Sequence, residues 1–303
     1  MALEFGLLIP PTPRGSTIEA MLAANDRLLA ACSAQGLTAW FVDHFQFAER
    51  PYLECLALLA HSAGRCPGVR VGTLVLGQGY RKPALVAKAA ATLQLLTGGR
   101  FILGIGAGWK EDEYRAYGWP FPPAATRLDE LDEAIRIIKA LWRDAPATFT
   151  GRHYQIADAI CEPRPDPSPV LMVGGGGEKR TLRLAAEHAD WWNVDYLSPE
   201  AYARKLRILH DHCEAIGRDP ATIVPTAFCL MSISHDESRV VRTPPINYPP
   251  TAHILSGGPA EVIDKIGAFT ELGVSHIQLM FLDYPRGDGI DIFLEEVLPA
   301  FAP

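Results

Sequence analysis

Residues 38–45 read TAWFVDHF, an apolar run ending on an aspartate beside a histidine. Histidine exchanges protons near neutral pH, which suits it to a centre beside a redox cofactor. An adjacent aspartate can orient a ring or its neighbour. A strand-end cap with a half-buried histidine would explain the same pair without chemistry, and the dipeptide leaves both readings open. Successive strand side chains point to opposite faces, so only one of Asp43 and His44 need face a ligand.

Two glycine-rich stretches are the other candidates. GIGAGW at 104–109 alternates three glycines, which allows close approach to a ligand or simply a tight corner. It is not GxGxxG, so a Rossmann reading finds little support. At 174–177, four glycines run into an amphipathic segment, EKRTLRLAAEHAD. Free backbone N–H groups at a helix start suit an anion, phosphate above all, and Lys179 and Arg180 add positive charge. A flexible loop is the competing explanation. Four glycines lose much backbone entropy on ordering unless positive φ or close approach requires them.

Other clusters offer less. HExxH, GxSxG and Walker A patterns are absent. His210 and His212 face different sides of a predicted helix, so no metal site is expected. Glu111, Asp112 and Glu113 read as a solvated helix start. The six cysteines show no CxxC and no regular spacing, which favours a reducing compartment over a disulfide framework.

Eight short apolar runs must position these groups: 3–10, 39–44, 69–77, 101–108, 169–176, 191–197, 222–234 and 275–283. Several lack polar alternation, as strands buried on both faces do. Helical patterns fill the gaps. RLDELDEAIRIIKALW carries an apolar stripe with Thr126 and Asp129 as a capping box. Pro83 and Ser198-Pro199 mark two further helix starts. Alternating strands and helices predict an α/β fold, a (β/α)8 TIM barrel forming one domain over residues 1–303. A doubly wound open sheet is the alternative. Two stretches break the rhythm: 143–168, which suits an inserted hairpin, and 235–258, a long loop after the seventh strand that suits a lid or binding loop.

A formal charge of −7 argues against a nucleic-acid surface. No window is apolar enough to span a membrane, and the first residues lack a signal-peptide pattern, so a cytoplasmic protein is expected.

Taken together, several stretches resemble the bacterial luciferase-like family, and within it the branch that uses coenzyme F420. They are VDHF at 42–45, GTLVLGQGYRKPALVAKAAATLQLLTGGRFILGIGAGWKEDEYRAYG at 72–118 and RLDELDEAIRIIKALW at 127–142. GRHYQ at 151–155, LMVGGGGEKRTLRLAAEHADWWN at 171–193 and GGPAEVIDKIGAFTELGVSHIQL at 257–279 complete the likeness. It spans nearly the whole chain in family order.

The resemblance implies an F420 or FMN ring in the C-terminal mouth of the barrel. Asp43 and His44 would lie beside it as the catalytic pair, and Asp43 would also help bind the cofactor. The third strand would end in a bulge at Thr73, Leu74 and Val75, with a cis Leu74–Val75 bond behind the ring. Gly106, Ala107 and Gly108 would border the ring, and Gly175, Gly176 and Gly177 would receive its phosphate. Phe45 and Trp109 would face the substrate. Trp109 stands where the sugar-phosphate dehydrogenases of the branch carry a glutamate, and 235–258 lacks a basic cluster, so a neutral or weakly polar small molecule is the expected substrate. Hydride transfer to or from an activated C=C, a C=O or an alcohol is the implied reaction. An FMN-dependent monooxygenase using reduced flavin and oxygen is the first alternative, and a non-catalytic flavin or deazaflavin carrier the second. A separate F420 or flavin reductase and a homodimer are the implied partners.

Overall fold

Every one of the eight apolar runs overlaps a strand: β1 Glu4–Leu8, β2 Thr38–Phe41, β3 Arg70–Thr73, β4 Phe101–Gly106, β5 Val170–Gly174, β6 Trp191–Asp195, β7 Val224–Ile233 and β8 His276–Phe281. The computed structural model describes residues 3–13, 15, 17–47, 50–246 and 248–302. All eight strands are parallel and each pairs with its neighbours in chain order. β8 returns to β1 and β4 pairs with β5, so the ring closes. The doubly wound alternative, which needs an open sheet, is thereby excluded.

Helices α1 Ile18–Gln35, α2 Cys55–Arg65, α3 Pro83–Leu96, α4 Glu111–Ala116, α5 Ala124–Arg143, α6 Thr181–His188, α7 Pro199–Ala215 and α8 Pro259–Glu271 fill the crossovers. Pro83 opens α3, where its missing N–H costs nothing. Ser198 Oγ accepts from Ala201 N at 3.3 Å to cap α7. The expected capping box at Thr126 and Asp129 is not formed. α5 begins at Ala124, after Pro123, with no side-chain cap, and Asp129 pairs instead with Arg180.

Strand alternation creates two cores. Outward residues such as Leu7, Phe41, Val71, Leu103, Val173 and Trp192 pack under the helices. Inward residues such as Leu8, Trp40, Ile102, Met172, Leu230 and Met280 fill the barrel. Trp40 lies between Gly6 and Gly72, where any Cβ would strike its indole. Its Nε1 donates to His276 Nε2 at 3.1 Å. Above it, Asn193 Nδ2 donates to Thr226 Oγ1 at 2.9 Å and Gln278 Oε1 at 2.8 Å. The barrel is therefore packed up to this polar layer, and the open space lies at the C-terminal strand ends.

The first insertion contains an antiparallel hairpin, Ala147–Thr150 with Gln155–Ala159. The second returns as a short strand, Ile254–Gly257, that pairs in parallel with Leu230–Ile233 of β7. No helix among the described residues is long and apolar enough to cross a membrane.

Candidate active site

The third strand does not run straight into the mouth. β3 pairs with β4 at Val71↔Phe101 and Gly72↔Ile102, and pairing resumes at Leu76↔Ile105 and Gly77↔Gly106. Thr73, Leu74 and Val75 thus oppose only Leu103 and Gly104, a bulge of one extra residue, which re-aims side chains beside sites. The Leu74–Val75 peptide is cis. Thr73 is fully buried and stitches the gap: its Oγ1 donates to Gly104 O at 2.8 Å and accepts from Gly104 N at 2.9 Å.

The bulge turns Val75 toward the glycines. A Cβ on Gly174 would sit 2.8 Å from Val75 Cγ2, and one on Gly106 would sit 3.0 Å from it. Side chains at these positions would close the mouth. They instead leave a cavity of about 520 Å³, within the range of small-molecule and cofactor sites. Its wall includes Asp43, His44, Leu74, Val75, Gly106, Ala107, Gly108, Trp109 and Gly175.

Gly175 has φ of +120°, a conformation that a side chain would strain. Its N–H is taken by Asn193 O at 2.9 Å. Gly176 and Gly177 lie beside the cavity rather than on its wall. Gly176 faces Val194 and Lys205, and Gly177 faces Thr181. Among the described residues their N–H groups donate to nothing, which suits an anion held just outside the wall. Arg180 does not contribute there, since it turns to Asp129 and to Ala125 O at 3.0 Å.

His44 and Asp43 point apart, as strand alternation requires. His44 enters the cavity wall, and its Nδ1 stands 2.8 Å from Glu113 Oε2. Glu113 is 0% exposed. It accepts further hydrogen bonds from Phe45 N at 2.7 Å, Gln46 N at 3.0 Å and the Tyr80 hydroxyl at 3.2 Å. Burial pushes its carboxyl up, but His44 and the two backbone donors outweigh that push and hold it below the ordinary value. The solvated helix start expected at 111–113 is thus corrected: Glu113 turns inward on α4. Three consecutive carboxylates carry no signal of which one the helix buries.

Asp43 is 5% exposed and bound by Arg81 through both oxygens, at 2.8 and 2.9 Å. It also accepts from Gly77 N at 2.9 Å, and so clamps the chain just past the bulge. Arg81 pairs in turn with Glu54. Burial pushes the Asp43 carboxyl up, opposed by Arg81 and the Gly77 N–H. Its edge reaches the cavity while its charge is spent on the clamp.

Phe45 does not reach the cavity wall. It packs between Tyr80, Tyr117 and Trp119 at centroid distances of 5.1, 5.1 and 4.8 Å. Phe47 and Tyr52 take the rim position instead, each edge-on to His44 at 5.4 and 6.0 Å. Trp109 joins them, 5.8 Å from the His44 ring and 66% exposed. Asn193, Asp195, Phe228, Tyr248, Met280 and Tyr284 also line the cavity. Sequence reasoning passed over them because nothing local marks an inward strand end as a lining residue. The six cysteines are unpaired.

The chain resembles several proteins of known activity. It is 28% identical to an F420-dependent glucose-6-phosphate dehydrogenase from Kineococcus radiotolerans, over 89% of this chain and 90% of that one. Its backbone superposes with a TM-score of 0.84 on an F420-dependent secondary alcohol dehydrogenase bound to an F420–acetone adduct, at 21% identity over the whole of both chains. A monooxygenase from Streptomyces bottropensis gives 0.82 at 18% identity, over 99% of this chain and all of that one. These two likenesses concern the fold. The model of the luciferase-like monooxygenases matches residues 3–244, and the chain belongs to that family.

Proposed function

We propose that the protein is an oxidoreductase that passes a hydride between coenzyme F420 and a small, uncharged or weakly polar organic molecule. The observation that carries this reading is His44, held by a fully buried Glu113, on a cavity kept clear by glycines at the ends of β4 and β5. The F420-dependence of a relative aligned over most of its length supports the choice of cofactor.

The residues present fit such a group. Val75, Gly106, Ala107 and Gly108 would flank a planar ring, Gly176 and Gly177 would meet its phosphate with backbone N–H groups, and Gly175 would let the chain approach it closely. When bound, the deazaflavin gives or takes the hydride. His44 handles the matching proton at Nε2, because Nδ1 is committed to Glu113. A carbonyl being reduced receives that proton on oxygen, and an alcohol being oxidised surrenders it. Glu113 fixes the ring's orientation through Nδ1. Asp43 keeps the bulge in place through Gly77 and Arg81. A separate reductase that regenerates the reduced cofactor, and a homodimeric assembly, belong to the same proposal.

The test is titration of the purified apo-protein with coenzyme F420 and, separately, FMN, following cofactor fluorescence. Tight binding of F420 and weak binding of FMN support the proposal. A clear preference for FMN transfers the protein to the oxygen-using readings, and oxygen consumption with supplied reduced FMN then becomes the decisive assay. Binding of neither overturns the glycine-loop assignment.

A further inference from the structure

On β2 the inward positions are Trp40, then Val42 and His44 beyond the strand end; on β6 they are Trp191, Asn193 and Asp195. Trp40, Val42 and Trp191 pack within the barrel core, whereas Trp192 and Val194 pack under the helices. The two-residue period therefore turns both His44 and Asp195 toward the barrel interior at the C-terminal strand ends. In the ring, β2 and β6 are separated by three strands on either side. The two groups thus stand on strands at opposite sides of the ring, and both belong to the cavity wall.

The charged wall residues differ in how they are satisfied. Asp43 is held by Arg81, and His44 by Glu113. Arg50 stands on the short ribbon that follows His44 and also lines the cavity. Among the described residues, no side chain and no backbone group besides its own N–H donates to the Asp195 carboxylate, while Asn193 on the same face donates to Thr226 and Gln278. Asp195 is exposed to the cavity opening, so water satisfies its carboxylate until a donor on an entering molecule takes the place of that water.

We infer that Asp195 is the substrate's polar anchor, accepting a hydrogen bond from a hydroxyl or ammonium group on the side of the substrate opposite His44, and turning away phosphate and carboxylate groups. The inference rests on the proposed function in taking this cavity as the substrate site. Repulsion between Asp195 and an anion, together with the exposed indole of Trp109 at the rim, separates this pocket from one suited to sugar phosphates. The aromatic wall of Phe47, Tyr52, Phe228 and Tyr248 accepts a flat apolar body between the two polar ends.

Three probes of one shape test this: benzylamine, benzyl alcohol and benzoate, their dissociation constants measured by calorimetry with and without bound F420. The native chain is expected to bind benzylamine most tightly and benzoate most weakly. Asp195→Asn should narrow the gap between benzylamine and benzoate by on the order of tenfold, the scale of one hydrogen bond to a charged group. Asp195→Glu, which keeps the charge, should preserve the order. An unchanged gap in Asp195→Asn overturns the anchor, as does the lack of any preference in the native chain. Arg50 attracts benzoate alike in all variants and cancels from the comparison. Measurement on the apo-protein reports on Asp195 alone, so failure of F420 to bind, which strikes the proposed function, is read separately.

Discussion

His44 Nδ1 lies 2.8 Å from Glu113 Oε2, and that same carboxylate receives the backbone N–H groups of Phe45 and Gln46. One buried acid thus fixes both the imidazole and the chain leading away from it. Glu113→Gln keeps the shape but presents an amide to the imidazole, and turnover is expected to fall on the order of 10²-fold with little change in F420 affinity. The same variant carries a pH signature. The folded-state pKa of Glu113 lies below its ordinary value of 4.5, so its stabilising contribution is complete above that value and disappears as pH falls through the lowered one. The stability gap between native and variant protein, read by urea unfolding, should be wide near neutrality and close in acid.

His44→Ala separates chemistry from binding. If the imidazole moves a proton, kcat drops about 10²- to 10⁴-fold, while the F420 dissociation constant moves by less than about threefold, under 1 kcal/mol. Equal losses in both would mean that His44 only holds the cofactor.

The glycines facing the bulge make a packing prediction. Gly174→Ala puts a methyl 2.8 Å from Val75 Cγ2, and overpacking of this kind costs about 1–3 kcal/mol. Val75→Ala in the same chain should recover most of that loss, so the pair is non-additive in urea midpoints. Gly104→Ala should be worse, because its methyl meets the Thr73 carbonyl oxygen, a backbone atom with nowhere to go.

At the other end of the barrel, His276 is buried and accepts the Trp40 indole N–H on Nε2, which only the neutral ring can do. Burial pushes its pKa below the ordinary 6.5, against the opposing pull of Glu4, 3.5 Å away and itself paired with Arg70. Unfolding lets the ring take a proton that the folded protein refuses, so stability is lost as pH falls below 6.5 toward the lowered value. His276→Gln, which can still accept from Trp40, should flatten that slope in thermal melts across the range; an unaltered slope would falsify the assignment.

Much of this molecule is written in local sequence. Eight apolar runs without alternation, each followed by a helical stripe, determine a closed barrel, because a strand wrapped by crossover helices is buried on both faces. The TAWFV run, with two titratable residues at its end, places Asp43 and His44 at the mouth for the same reason, and GIGAG and GGGG mark where backbone must come close. What tertiary structure alone decided is which partner each charge meets. Asp43 is committed to Arg81, 38 residues away, and His44 to Glu113, 69 residues away. Neither distance has a local signature, since both partners sit in separate βα connections whose orientation depends on the ring closing. Asp195 belongs to the same class: its inward aim follows from strand period, but its place opposite His44 follows only from the order of strands around the barrel.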